Sequence, residues 1–256
     1  MRKSESALLP VSLSPHGIED SPLGRRRLGD YPYPLLSFPS IFNESLLEKT
    51  ESSPPYDLEW PFKRFFDISV SILFLVVLFF PLIFIAVAIK LSSDGPIFFK
   101  QDRAGRGGKK FTLFKFRTMI DGADRMRSTL VELSDADGPL FKMKKDPRVT
   151  PLGRILRKSS LDEIPQLINV LKGEMSLVGP RPHLLVEVQN YRPVHRQRLN
   201  VKPGMTGIWQ VSGRSALSFE RGMDLDLAYV RTLSWKLDMW ILLRTVPAVI
   251  IGKGAM

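Results

Sequence analysis

The chain of 256 residues contains no cysteine and only three histidines. The absence of cysteine excludes disulfide bonds, zinc–thiolate sites and cysteine nucleophiles, and it is typical of proteins in a reducing compartment. The histidines His16, His183 and His195 do not have the spacing of a metal-binding motif. A metal ion in this protein would therefore be a hard cation held by oxygen ligands.

Negative charge is scarce as well, with 26 acidic residues against 37 Lys and Arg and a formal net charge of +11. Such an excess indicates an anionic partner, which is a nucleic acid, an acidic membrane surface or a phosphorylated substrate. The length of the chain and its hydrophobic content of 44% are sufficient for one domain with a core.

Residues 1–60 lack a sustained apolar pattern and are rich in proline and serine, which predicts a disordered N-terminal tail. These residues also interrupt the first apolar stretch, so a cleaved signal peptide is not expected. A basic cluster at Gly24–Asp30 is interpreted as a solvated surface run, and contact with anionic lipid is the alternative.

A long apolar run from Ile68 to Ile89 contains no charged residue. A straight helix over this run would be about 33 Å long, which is enough to cross a bilayer. The length and uniformity of the run favour a membrane segment over a buried core helix. Pro81 removes one backbone donor and clashes with the preceding turn, so we expect a kink near Phe79 and Phe80.

Basic residues flank this run on both sides, with Lys63 and Arg64 before it and Lys90 after it. The positive-inside tendency favours the cytoplasmic side for both ends, which a straight span does not satisfy. A helix that bends at Pro81 and leaves through the leaflet it entered does satisfy it. The sequence therefore predicts a re-entrant membrane helix over residues 61–91, followed by a cytoplasmic catalytic domain over residues 92–256.

Local patterns in the second part of the chain predict an α+β fold that is mainly helical. The segments PIFFKQ and KFTLFKFRTM, joined by glycine-rich AGRGG, predict a short β-hairpin. The C-terminal segment is apolar and aromatic with internal charges, which predicts an amphipathic helix at the membrane interface with Trp235 and Trp240 at headgroup level. A core helix is an equally supported alternative, whereas the charges and Pro247 disfavour a second transmembrane helix.

Two adjacent carboxylates, Asp162 and Glu163, stand at the start of an apolar helical pattern. Ser160 to Glu163 matches the S-x-x-E capping box, which predicts Ser160 as the N-cap. The acids would then lie in the first helical turn, where the helix dipole stabilises negative charge. Pro165 lies close behind and indicates that this turn is distorted or that the helix begins later.

Arginines around the pair favour a catalytic role over this structural one. Arg154 and Arg157 precede the acids, and Arg181 follows in the motif GPRP. Because adjacent carboxylates repel each other, keeping both ionised requires compensating cations or a metal. An acid pair, a hard metal and arginines that bind phosphate oxygens together predict a phosphoryl-transfer site.

Other motifs carry weaker signals. The run GRGGKK lacks the spacing of a phosphate-binding loop, so a hairpin turn is favoured. The segment VKPGMTGIWQVSGR offers polar groups that suit a nucleotide. The aromatic and basic residues of FTLFKFR are also found on nucleic-acid surfaces, but the neighbouring apolar run disfavours nucleic acid as a partner.

Five segments, in order, resemble those of the bacterial sugar transferases, the polyprenyl-phosphate hexose-1-phosphate transferases that are also described as monotopic phosphoglycosyl transferases. The resemblance runs from about Lys63 to the C-terminus. The segments are KRFFD, GPIFFKQDRAGRGGKKFTLFKFRTM, DPRVTPLGRILRKSSLDEIPQLINVLKGEMSLVGPRP, VKPGMTGIWQVSGR and LDMWILLRTVPAVIIGKGA.

This resemblance implies a monotopic protein at the cytoplasmic face of the bacterial inner membrane, with a re-entrant helix broken at a proline. It implies that a UDP-sugar donates its sugar-1-phosphate to undecaprenyl phosphate and releases UMP, through a covalent aspartyl intermediate and with Mg²⁺. By position, Asp162 would be the nucleophile, and Glu163 and Asp162 would hold the metal. The partners would be UDP-sugar, undecaprenyl phosphate and membrane lipids. Whether the protein forms a homodimer is left open.

The resemblance also assigns substrate-binding positions. Arg157 and Arg181 correspond to positions implicated in binding phosphate or substrate. The weaker correspondences are Lys115, Arg117, Arg148, Gln210 and Arg214. The motifs GIWQVSGRS and LDMWILLRT favour UDP-glucose or UDP-galactose as the donor.

Large members of the family carry an additional N-terminal multi-span membrane domain, so the polar tail predicts a short, catalytic-core form. Two alternatives to this enzyme stay open on the sequence. One is a basic, membrane-associated scaffold without activity, and the other is a glycosyltransferase that moves only the sugar.

Overall fold

The computed structural model of the chain describes residues 62–126, 143, 146–214 and 217–251, and the predicted tail of residues 1–60 lies outside them. Its helices are α1 (Lys63–Val77), α2 (Phe79–Ser92), α3 (Pro151–Lys158), α4 (Gln166–Lys172), α5 (Leu185–Gln189), α6 (Ile208–Val211), α7 (Phe219–Thr232) and α8 (Trp235–Ile251). Its strands are β1 (Phe98–Ala104), β2 (Lys110–Phe116), β3 (Ser176–Val178) and β4 (Gly204–Thr206). The predicted class, α+β and mainly helical, is confirmed for this part of the chain.

The apolar run forms two helices, α1 and α2, that meet at Leu78 and bend by 65°. Pro81 is the third residue of α2, a position where the helix tolerates proline because the amides of its first turn have no partner within the helix. The predicted kink is confirmed, immediately before Phe79. In the described part of the chain no single helix has the length and composition of a membrane span, whereas α1 and α2 taken together do.

The basic residues that precede the apolar run contact the rest of the protein. Lys63 is buried, and its Nζ donates to Oδ2 of Asp238 in α8 at 2.5 Å. The guanidinium of Arg64 donates to the carbonyls of Val170 and Leu171 at the end of α4, at 2.5 and 2.7 Å. A cation at this end of a helix also interacts favourably with its dipole. Lys63 and Arg64 therefore fix α1 against α4 and α8.

The predicted β-hairpin is confirmed. Strands β1 and β2 pair antiparallel, from Phe98 opposite Phe116 to Ala104 opposite Lys110. The connection has Gly107 at φ 65°, in the left-handed region that glycine enters without strain. The run GRGGKK is thus the turn of this hairpin. Strand β2 carries Lys115 and ends two residues before Thr118. Both residues belong to the candidate active site.

A second, two-stranded parallel sheet lies in the core. Strands β3 and β4 pair with Ser176 opposite Gly204. A Cβ at Gly204 would lie 2.0 Å from the backbone nitrogen of Gly179, so the two chains approach as closely as only glycine permits. This sheet places the GPRP loop, which follows β3, beside the segment that leads into α6.

The C-terminal helix α8 has one buried face and one exposed apolar face. Leu237 and Ile241 are buried in the main core cluster. Leu243, Val246 and Ile250 are exposed. The core-helix interpretation therefore holds for the inner face, and membrane contact stays a prediction for the outer one.

Candidate active site

Asp162 and Glu163 lie in a separate 3₁₀ turn, Leu161–Glu163, ahead of α4. The predicted capping box is wrong, because Ser160 has a left-handed backbone (φ 57°) and its side chain makes no capping hydrogen bond. Its amide instead donates to the carbonyl of Arg157, so Ser160 reverses the chain at the end of α3. The later helix start that Pro165 indicated is confirmed. A helix dipole therefore does not explain the acid pair.

Glu163 is held by two cations from distant parts of the chain. Nζ of Lys115, on β2, donates to Oε1 at 2.6 Å. Arg181, after β3, donates to the same oxygen at 2.8 Å and to Oε2 at 3.4 Å. Burial by itself would raise the pKa of Glu163, but Arg181 and Lys115 together lower it below its usual range. Glu163 is therefore ionised at neutral pH.

Asp162 has the opposite environment. It is 7% exposed, and its carboxylate makes no hydrogen bond to the described residues. Burial, reinforced by the negative charge of Glu163 and opposed mainly by Lys115, raises the pKa of Asp162 to about 6. The adjacent acids thus differ in pKa and in hydrogen bonding, and the carboxylate of Asp162 has lone pairs free to accept a ligand or attack an electrophile.

The side chain of Arg157 is oriented by Thr118, which lies in the segment that follows β2. Its Nε donates to Oγ1 of Thr118 at 2.9 Å. One turn earlier in α3, Gly153 packs against the carbonyl of Thr118, and a Cβ there would lie 2.0 Å from that oxygen. Burial lowers the pKa of Arg157, and the nearby charge of Asp162 opposes this. An arginine remains charged after such a shift, so Arg157 places a cation near Asp162.

The structure brings four of the predicted substrate-binding residues to the acid pair: Lys115, Arg157, Arg181 and Arg214. Burial is the main cause of the lowered pKa of Arg214; the negative charge of Glu163 raises this pKa, and the positive charge of Arg181 lowers it further. The charge of Arg214 thus interacts with the charges of Glu163 and Arg181. For all four residues, the predicted binding of a substrate stays a prediction.

The other three predicted residues have different contacts. Arg117 donates through Nη2 to Ser93 at the end of α2, at 2.7 Å to its carbonyl oxygen and 3.0 Å to its hydroxyl. Arg148 forms a two-point pair with Asp146, at 2.9 and 2.7 Å. Gln210 donates to the carbonyl of Met205 at 3.0 Å. Their predicted substrate contacts stay predictions, and the observed contacts are within the protein.

Two residues that the sequence reasoning did not select help to hold the site. Thr118 receives Arg157, as described above. Arg198 is buried and donates through Nη2 to the backbone carbonyl of Arg181 at 2.7 Å. Arg198 lies in a basic segment, RPVHRQR, in which no local pattern distinguishes it from its neighbours. Only the fold shows that it positions the GPRP loop.

The described residues contain no group of three or more His, Asp or Glu side chains that could hold a metal ion by themselves. A divalent cation at the acid pair would complete its coordination with ligands from a substrate or from water. Phosphate oxygens are the usual ones for Mg²⁺. A buried carboxylate with free lone pairs, surrounded by four cations, is the arrangement expected for binding and attacking a phosphorylated substrate.

Comparison with known proteins identifies the family. The sequence profile described as "Bacterial sugar transferase" matches residues 58–252. The chain belongs to the bacterial sugar transferase family. This assignment confirms the resemblance that the sequence motifs indicated.

Named bacterial sugar transferases are similar over most of this chain. The exopolysaccharide production protein ExoY of Sinorhizobium fredii is 39% identical over 75% of the chain and 87% of its own length. The undecaprenyl-phosphate galactose phosphotransferase of Salmonella typhimurium is 42% identical over 75% of the chain. The UDP-glucose:undecaprenyl-phosphate glucose-1-phosphate transferase of Klebsiella pneumoniae is 36% identical over 90%. The chain spans 41% of the Salmonella protein and 51% of the Klebsiella protein.

Proposed function

We propose that this sugar transferase moves hexose-1-phosphate from a UDP-sugar, with glucose or galactose favoured, to undecaprenyl phosphate and releases UMP. This would be the first membrane step in the synthesis of an exopolysaccharide or a related glycan. The names of the Salmonella and Klebsiella relatives support the substrates. The observation that carries the proposal is the buried carboxylate of Asp162, which accepts no hydrogen bond from the described residues, beside an ion-paired Glu163.

The proposed reaction has two displacement steps at one phosphorus atom. An oxygen of Asp162 attacks the sugar-bearing phosphorus of the UDP-sugar, and the bond to the bridging oxygen breaks as UMP leaves with its electron pair. A phosphate oxygen of the lipid acceptor then attacks the same phosphorus, and the Asp162 carboxylate leaves. A covalent intermediate lets one site serve two anionic substrates in turn. Each step conserves charge and needs no redox partner.

The cations have separate tasks in this proposal. Lys115 and Arg181 neutralise Glu163, which otherwise would repel a diphosphate. Arg157 interacts electrostatically with Asp162, and its guanidinium is a planar fork of donors that fits phosphate oxygens. Such donors stabilise the charge that develops on the phosphoryl oxygens during transfer.

We expect Mg²⁺ to bind between the acid pair and the substrate phosphates. Asp162 fits as a ligand, because its oxygens accept no hydrogen bond from the described residues. Oε1 of Glu163 already accepts from Lys115 and Arg181, so Glu163 would serve as a ligand through Oε2, whose hydrogen bond from Arg181 is 3.4 Å long. Bound magnesium would supply neutralisation of the diphosphate charge.

We propose further that α1 and α2 form a re-entrant hairpin in the cytoplasmic leaflet of the inner membrane. The bend of 65° and the exposed apolar side chains of both helices support this placement, with Phe74, Val77, Phe80 and Phe84 among them. A lipid acceptor has its phosphate at the headgroup level, where a shallow hairpin would hold the site. Because the chain has no native cysteine, single cysteines in the tail and in residues 92–256 can be labelled selectively. Labelling of the tail from the periplasm would contradict a re-entrant hairpin.

The decisive experiment is incubation of the purified protein with UDP-sugars, undecaprenyl phosphate and Mg²⁺, with UMP as the readout. We expect UMP release by the unmodified protein and almost none by Asp162→Asn. The matched control is Asp102→Asn, an exposed aspartate on β1, which should retain full activity. Release of UDP would indicate transfer of the sugar alone, and membrane binding without either product would indicate a scaffold.

Trapping tests the covalent step directly. Donor labelled in the sugar and quenched in denaturant before acceptor is added should leave one phosphosugar per chain on Asp162. A fully active Asp162→Asn variant, or an adduct on another residue, would refute the assignment of the nucleophile.

A further inference from the structure

The second helix of the α1–α2 hairpin packs against the turn that carries the acid pair. Ile85 and Ile89 of α2 belong to a buried apolar cluster. The same cluster contains Phe116, at the end of β2, and Leu156 of α3. Leu161, the first residue of the 3₁₀ turn, packs against it. Because protein interiors are close-packed and transmit strain, a displacement of α2 would reach both α3 and the acid turn.

A polar contact joins the C-terminal end of α2 to the segment that follows β2. Arg117 is 6% exposed, and its Nη2 donates to the carbonyl oxygens of Ile89 at 3.3 Å and of Ser93 at 2.7 Å. The same nitrogen donates to the hydroxyl of Ser93 at 3.0 Å. The last carbonyls of a helix have no partner within it, and a cation there interacts favourably with the helix dipole. Arg117 therefore caps α2.

The rest of the Arg117 guanidinium is enclosed by the protein. Nε and Nη1 are almost completely buried and have no hydrogen-bond partner among the described residues. A Cβ at Gly95 would lie 2.3 Å from Nη1, so the backbone closes over this atom. A substrate phosphate has no access to these two donors in this conformation. The observed position of Arg117 therefore favours a role within the protein over direct binding of a phosphate.

Thr118, the next residue, connects this cap to Arg157. Its Oγ1 accepts the hydrogen bond from Nε of Arg157 at 2.9 Å. Its carbonyl oxygen accepts from the amide of Thr150, the N-cap of α3, at 3.0 Å. Consecutive Cα atoms are about 3.8 Å apart, so a shift of Arg117 moves the backbone of Thr118. Arg117 thus contacts α2, and Thr118 contacts Arg157 and the start of α3.

We propose, on the basis of the proposed function, that Arg117 is a positioning residue that acts on the reaction through Thr118 and Arg157. By capping α2 it fixes the backbone of Thr118, and Thr118 orients the guanidinium that binds the substrate phosphates. The α1–α2 hairpin is then a support of the reaction centre as well as the proposed membrane anchor. Arg117 itself does not touch the substrate.

A double-mutant cycle in the donor kcat/KM for UMP release tests this coupling in the full-length protein. Arg117→Met removes the cap, and Thr118→Val removes the acceptor of Arg157 with little change in shape. We expect each single variant to lose at least tenfold in kcat/KM, on the scale that a misplaced substrate-binding group costs. The double variant should lose at most twofold more than the less active of the two, because both substitutions release the same arginine.

Two controls separate this coupling from a general loss of structure. Lys110→Met, which changes an exposed cation on β2, should keep full kcat/KM and should not alter the effect of Thr118→Val. All rates are compared per folded protein, measured by far-ultraviolet circular dichroism, so that a merely structural loss is removed. Arg117→Lys keeps a donor at the end of α2, and it supplies the cycle if Arg117→Met does not fold.

Losses that multiply in the double variant would show that Arg117 acts independently of Thr118, as a direct phosphate contact would, and would overturn the proposal. Full activity of the folded Arg117 variants would overturn it as well. Both results leave the proposed function in place. Absence of UMP release by the unmodified enzyme refutes the proposed function instead, and this proposal with it.

Discussion

The ion pair between Lys63 and Asp238 offers a quantitative test of how α1 is held against α8. Both side chains are almost fully buried, at 4% and 1% exposure. Replacing one member of a buried pair leaves the other charge without compensation and typically costs about 3–5 kcal/mol. After Lys63→Met, Asp238 still accepts a hydrogen bond from Tyr229 at 2.8 Å. We therefore expect a loss near the lower end, about 3 kcal/mol.

A double-mutant cycle isolates the interaction itself. The singles Lys63→Met and Asp238→Leu should each be strongly destabilising. The double variant buries two apolar side chains and should recover about 2 kcal/mol or more relative to the sum of the singles, since buried pairs are often replaced by apolar residues at little cost. Urea unfolding of the solubilised protein, followed by tryptophan fluorescence, gives the free energies of unfolding.

The chain contains a matched control for this cycle. Lys110 and Asp102 form a pair at 3.0 Å on the hairpin, but their side chains are 63% and 45% exposed. Exposed pairs of this kind contribute little to stability, so Lys110→Met should leave the urea midpoint unchanged. The reasoning is refuted if Lys63→Met behaves like Lys110→Met, or if the effects of the two buried substitutions are additive.

Three further substitutions probe the site. Lys115→Met removes the cation that most lowers the pKa of Asp162, so this pKa should rise from about 6. The attacking form is the carboxylate, which is lost as pH falls through the pKa. The acidic limb of donor-dependent UMP release should therefore move to higher pH. Gly153→Ala places a Cβ 2.0 Å from the carbonyl of Thr118, and we expect a loss of about 1–3 kcal/mol in urea unfolding, despite the better helix propensity of alanine. Arg157→Lys keeps the charge but loses the planar fork and the bond to Thr118, so initial rates of UMP release should fall more than tenfold while the unfolding midpoint stays near that of the parent.

Each of these has a contrary outcome. An acidic limb that stays in place after Lys115→Met would show that another group controls it. Unchanged stability of the Gly153→Ala protein would show that α3 can move away from Thr118 without loss. Full activity with lysine at position 157 would show that charge alone is sufficient there.

Patterns within short segments predicted several elements of this fold. Alternating apolar residues around a glycine-rich turn predicted the hairpin, and Pro81 predicted the break in the apolar run. Both signals depend on backbone sterics within a few residues, so they survive folding. The capping box is also a local motif, but its prediction was wrong because two neighbouring features compete with it. Ser160 ends α3 in a left-handed conformation, and Pro165 delays the next helix to Gln166.

The site was predictable as a list of residue types but not as an arrangement. The sequence motifs selected Asp162, Glu163 and the cations of the family, and they implied the family itself. They did not predict that Glu163 would be neutralised while Asp162 accepts no hydrogen bond from the residues that the structure describes. Nor did they separate Lys115, which reaches Glu163, from Arg148, which pairs with Asp146.

The sequence by itself therefore determined the local elements, the basic character of the protein and the family to which it belongs. Tertiary structure decided which charges meet. Lys115 and Arg181 lie 48 and 18 residues from Glu163 along the chain, and they reach it only because the hairpin and the parallel sheet bring their backbones to the same 3₁₀ turn. Burial and pairing depend on such through-space distances, so the difference in pKa between two adjacent carboxylates is a property of the fold.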